Sequence, residues 1–173
     1  MKFKSFYLAG ATATVLGVAP ATLRQWRDRD ICHLGSIEEG AEDNPRSRRR
    51  YSLVDICKMS IALAMVKNGF SHEEAFNRVT NVPSIHTAVA ATVLETGGDD
   101  VILTTLITSF GELTVWANSV TLPLQEWKAN IAGAFHAVDP IDTADVECVS
   151  AINVSAIARN ALKRLATLVD GEE

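Results

Sequence analysis

The chain has 173 residues, 47% of them apolar and 21% charged, with a formal net charge of −5. That length holds one ample domain or two small ones, and the apolar content excludes a disordered polar chain. No apolar run approaches the roughly 18 residues that cross a bilayer. Cys32, Cys57 and Cys148 are odd in number and far apart, which suits a reducing cytoplasm better than a disulfide framework.

The start, MKFKSFYLAGATATVLGVAP, imitates a secretory leader, but Gly10, Thr12, Thr14 and Gly17 dilute its apolar middle. A cut after Ala19 would also leave Pro20 at the new terminus. Residues 7–31, YLAGATATVLGVAPATLRQWRDRDI, predict two short helices joined by a tight turn. Two helices crossing steeply need a small residue at the contact, supplied by Ala13. They also need a positive φ in the turn, supplied by Gly17. Leu16, Val18, Leu23 and Trp26 form one apolar seam, which makes Trp26 a core residue. Pro20 suits the first turn of the second helix.

A turn-rich stretch, HLGSIEEGAEDNPRSRRRYS, follows and closes on Arg46, Arg48, Arg49, Arg50 and Tyr51. Cys32 and His33 at its start read as a buried thiol beside an exposed imidazole. LVDICKMSIALAMVKNG is a helix with Ser52 as N-cap, Asp55 in its first turn and Gly69 at its end. Ile56, Met59 and Leu63 face one way on it, and Ile61 and Met65 another. A single core uses one face, so the second predicts a partner surface. HEEAFNRV is a further helix capped by Ser71.

Three pieces in this order carry a resemblance: LGVAPATLRQWRDRDI, RRYSLVDI and NGFSHEEAF. Residues 6–80 resemble the MerR-like group of winged helix-turn-helix DNA-binding domains. The resemblance implies that helix 20–29 reads double-stranded DNA and that residues 46–51 form a basic wing. Thr22 and Gln25 then face base edges, while Arg24 and Arg27 reach phosphates or guanine edges. Arg46, Arg48, Arg49 and Arg50 lie along phosphates, and Tyr51 donates its hydroxyl to another. The chain departs from the pattern at Asp30, where glycine is favoured, which predicts a different exit from the reading helix. Glu38, Glu39, Glu42 and Asp43 make the front half of the wing acidic. The long dimerisation helix of effector-controlled relatives is missing, because SIHTAVAATVLET stops at Gly97-Gly98.

Beyond residue 80 the pattern changes to a small α+β module. Ile85, Val89 and Val93 place a short amphipathic helix. VILTTLITSF and ELTVWANS read as a strand pair, and VECVSAINV as a third strand. The stretch TLPLQEWKANIAGAFHAV, residues 121–138, is ambiguous, with a helix from Leu124 to about Val138 as one reading. SAIARNALKRLATLV is a clear helix, with Ile157, Ala161, Leu165 and Leu168 on one face. The expected fold is α+β, mainly α, with domains at 1–80 and 81–173. Residues 1–80 hold 12 Lys and Arg against 9 Asp and Glu, whereas 81–173 hold 4 against 12. The acidic second half should repel DNA and so orient the protein on it, since local field governs docking.

Catalytic motifs are not found: GxSxG, GxxxxGK[ST] and HExxH do not occur. His136, Asp145, Glu147 and Cys148 match no zinc spacing, so neither metal nor cofactor is expected. The expected function is that of a sequence-specific DNA-binding protein, a bacterial or phage-type transcriptional regulator that dimerises through residues 81–173. Two alternatives share the sequence signal. One is a phage-type recognition subunit, an excisionase or terminase small subunit. The other is a protein–protein adaptor that has lost DNA binding.

Overall fold

The computed structural model describes residues 5–36, 49–94, 100–110, 113–123 and 146–170. Six helices dominate these residues, beside one two-stranded and one three-stranded sheet, so the class is α+β and mainly α. The chain divides into two compact units, Met1–Thr96 with Ile157–Glu173, and Gly97–Ala156. The first segment of the first unit thus runs to Thr96, past the expected boundary at residue 80. The chain's last helix returns to the first unit.

In the first unit, β1 (Tyr7–Leu8) leads into α1 (Ala9–Leu16) and α2 (Pro20–Asp28). α1 ends at Gly17, with φ 70°, as Val18 N–H donates to Ala13 O (3.0 Å) and Gly17 N–H to Thr14 O (3.1 Å). This is the two-bond helix ending that a left-handed residue permits. Ala13, 1% exposed, lies on the buried side of α1, and α2 buries Leu23 and Trp26. Half-buried Val18 sits at the rim of that seam.

β2 (Arg50–Tyr51) pairs antiparallel with β1, setting Tyr7 opposite Tyr51 and Leu8 opposite Arg50. α3 (Leu53–Lys67) starts with a capping box. Asp55 N–H donates to Ser52 Oγ (3.1 Å), and Ser52 N–H donates to Asp55 Oδ2 (2.9 Å). α4 (His72–Asn81) starts on Ser71, whose Oγ accepts from Glu74 N–H (3.1 Å). α5 (Pro83–Val93) buries Ile85 and Val89 completely.

α3 is the central helix, packed by α1, α4, α5 and β2. Ile56, Met59, Ile61 and Met65 are all at most 1% exposed. The two apolar faces read from the sequence are thus both used inside the unit, with Leu63 half-buried. Two contacts tie the returning helix to this core. Cys57 Sγ lies 3.7 Å from Ala158 O, and Arg164 donates to Val15 O (3.3 Å) at the end of α1. The last turn of α1 has no basic residue of its own, so Arg164 supplies the cation that its carbonyl end favours. That helix, α6 (Val154–Asp170), buries Val154, Ala158, Ala161 and Leu165. The buried stripe is centred slightly off the predicted one, leaving Ile157 and Leu168 half-buried.

The second unit is an antiparallel sheet ordered β4-β3-β5. β3 (Val101–Phe110), β4 (Leu113–Pro123) and β5 (Val146–Asn153) match the three predicted strands. β4 runs on through Thr121–Pro123, residues first grouped with the ambiguous stretch. The remainder of that stretch, 124–138, lies outside the described residues. Asn153 ends β5 and caps α6, its Oδ1 accepting from Ala156 N–H (2.8 Å).

Candidate nucleic-acid interface

Helix periodicity and burial together fix which side of α2 is outward. Leu23 and Trp26 point inward at 3% and 7% exposure. At 100° per residue the opposite face is centred on Ala21, Arg24, Gln25 and Asp28, all exposed. Arg27 is exposed on one flank, and Thr22 is half-buried on the other.

The inward face is firmly seated. The Trp26 ring lies 5.1 Å from that of Phe76 and 5.6 Å from that of His72, both on α4. Phe76 is 1% exposed, and burying one side chain of that kind stabilises by about 1.5–3 kcal/mol. α2 is thus held by α1 at one end and by α4 beneath Trp26. The two contacts fix its outward face relative to the unit.

The exit of α2 differs from the expectation drawn from Asp30. Asp30 takes φ 57°, the left-handed conformation glycine would supply. Asp30 N–H donates to Arg27 O (2.9 Å) and Ile31 N–H to Trp26 O (2.8 Å), the same two-bond ending that closes α1. Aspartate is one of the few side chains that visit this region, so the backbone route survives the substitution. Arg29, exposed just beyond α2, is a further cation on this face that the sequence reading passed over. Its signal was the alternating run Arg27-Asp28-Arg29-Asp30.

Beyond α2, the chain reaches Ser36, which bridges to Arg50. Ser36 N–H donates to Arg50 O and Arg50 N–H to Ser36 O, both at 2.8 Å. With β1 on the other side, Arg50 is gripped by backbone from two directions. Arg46 and Arg48, with Glu38, Glu39, Glu42 and Asp43, lie outside the described residues. Arg49 and Arg50 are half-buried, and the Arg49 Nε is buried without a hydrogen-bond partner among the described residues.

Tyr51 requires a correction. It is 4% exposed, and its ring lies so close over Gly35 that a Cβ there would stand 2.8 Å from two ring carbons. Burial pushes its hydroxyl pKa up. Strand alternation at Arg50–Tyr51 turns its ring inward, so Tyr51 is not among the exposed residues the sequence led one to expect.

Cys32 is buried and His33 exposed, as read from the sequence, with His33 Nδ1 3.5 Å from Asp30 Oδ1. Burial raises the pKa of Cys32, and it pushes that of Cys57 up to about 12. Among the described residues no group of three His, Cys, Asp or Glu is placed to hold a metal. The side chains of His136, Asp145, Glu147 and Cys148 lie outside what is described.

The exposed cations divide by their partners. Arg24 and Arg29 have none among the described residues. Arg27 is paired with Asp28 at 2.6 Å. No protein-family model and no curated protein matches the chain. The functional reading therefore rests on this geometry. Among the described residues no helix is long and apolar enough to cross a membrane.

Proposed function

We propose that residues 1–80 are a MerR-like winged helix-turn-helix that binds double-stranded DNA. The protein then acts as a sequence-specific transcriptional regulator of bacterial or phage type in the cytoplasm. The observation that carries this reading is the outward face of α2. Arg24 and Gln25 face outward on it, Arg27 is exposed on its flank and Arg29 just beyond its end, while Leu23 and Trp26 anchor it. A cylinder of this size with exposed arginine and glutamine side chains suits the major groove, where arginine and glutamine match guanine and adenine edges. In this reading residues 46–51 supply the wing, with Arg46, Arg48, Arg49 and Arg50 contributing charge along the DNA backbone.

One such module buries only about 600–1,000 Å² on DNA. We infer that two copies associate through residues 81–173, so that two half-sites multiply affinity. A second reading, a protein-binding adaptor, is favoured by one observation. Phe6 and Leu8 are 49% and 43% exposed and rim an apolar cleft of about 380 Å³ with Ala11, Leu165 and Leu168.

Selection of bound duplexes from a random pool tests the choice. A recurring motif with two-fold symmetry is the expected result. Failure to enrich any sequence in dilute buffer favours the adaptor. Mapping on a genome then separates regulators, with scattered promoter sites, from excisionase or terminase subunits, with one attachment or packaging site.

A further inference from the structure

We infer that Asp28 is a positioning residue that aims Arg27 at a guanine edge, a proposal that rests on the DNA-binding reading above. Arg27 Nε and Nη2 both donate to Asp28 Oδ1, at 2.9 and 2.6 Å. One edge of the planar guanidinium fork is thereby held. The opposite edge, with Nη1 and the second Nη2 hydrogen, stays open for a ligand. Guanine presents two acceptors, O6 and N7, which match that open edge.

Position on the helix supports the same role. Arg27 lies on a flank of α2, whereas Asp28 is near the centre of the outward face. The ion pair draws the guanidinium from the flank towards the groove-facing line. Arg24 and Arg29 have no such carboxylate among the described residues, which suits phosphates, where charge matters more than a fixed angle.

The pair has little to offer stability. Its side chains are 46% and 62% exposed, and exposed ion pairs contribute little to folding. A carboxylate at the centre of a DNA-facing surface also repels phosphate. Such a residue weakens binding to every duplex, and a gain in discrimination offsets that loss.

The test compares the wild-type protein with Asp28→Ala, Asp28→Asn and Arg27→Ala. Fluorescence anisotropy would follow the selected duplex, the same duplex with adenine replacing each guanine in turn, and an unrelated duplex. The wild type is expected to prefer guanine at one position by about tenfold or more. Asp28→Ala should cut that preference to about twofold while binding the unrelated duplex more tightly. Asp28→Asn keeps an Oδ1 acceptor and should restore part of the preference. Arg27→Ala should abolish it, with no further loss when Asp28→Ala is added. Circular dichroism should be unchanged throughout. A guanine preference that persists in Asp28→Ala overturns the role of Asp28 while leaving DNA binding intact. A wild-type protein that binds no duplex overturns the DNA reading, and this inference with it.

Discussion

Asp30 holds a left-handed backbone at φ 57° that few side chains tolerate. An L-residue there costs roughly 1–2 kcal/mol, and glycine would relieve it at an entropic cost of about 0.5–1. Asp30→Gly is therefore expected to stabilise the protein by about 0.5–1 kcal/mol, seen as a higher urea midpoint at unchanged slope. Its contact with His33, 3.5 Å between exposed groups, is too weak to reverse that sign. Cys57 gives a pH signature. Its thiol, 0% exposed, titrates near 12 in the folded state against 9.0 ordinarily. Above pH 9 the unfolded chain loses a proton that the folded one keeps. Stability then falls by about 1.4 kcal/mol per pH unit from this group, between pH 9 and 12. Urea titrations from pH 8 to 10.5 should show that extra slope in the wild type and its loss in Cys57→Ala.

At the scale of elements, three helices end alike. α1 turns at Gly17 and α2 at Asp30, and α3 turns at Gly69, with φ 99° and Phe70 N–H donating to Met65 O. Two of the three were legible because glycine marks the turn within a few residues. Ser52 and Ser71 were legible for the same reason, since a capping serine acts on an amide three residues away. Asp30 was not, because its side chain advertises no special backbone. Tyr51 was misread for a different reason. Its fate depends on Gly35, sixteen positions away in sequence, and on β1, which no local pattern announces. Gly35→Ala should destabilise by about 2 kcal/mol or more, as strain at φ 86° adds to the clash with the Tyr51 ring. Gly10→Ala is the matched control. It lies inside α1 with nothing within 4 Å of the new Cβ, and should gain about 0.5–1 kcal/mol in the same denaturation experiment.

For the molecule as a whole, the helical unit is assembled from both ends of the chain. α6 closes on α3 through Cys57 and on α1 through Arg164, contacts spanning 101 and 149 residues. Separations of that kind leave no trace in local periodicity. Hence the boundary read from the charge shift at residue 80 fell short, and the second apolar face of α3 is taken up inside the unit. What the sequence did disclose was the placement of cations. The first 80 residues hold most of the arginines of an acidic protein, and on α2 Arg24 stands on the outward face with Arg27 exposed on its flank. The central claim is that this face docks on duplex phosphates. Salt dependence tests it most directly, through the slope of log K against log salt for the wild type and for Arg24→Ala combined with Arg29→Ala. Binding that weakens with salt, and a slope reduced by about 1.8 in the double variant, is the predicted result. An identical slope in both proteins, or no binding even in dilute buffer, would contradict it.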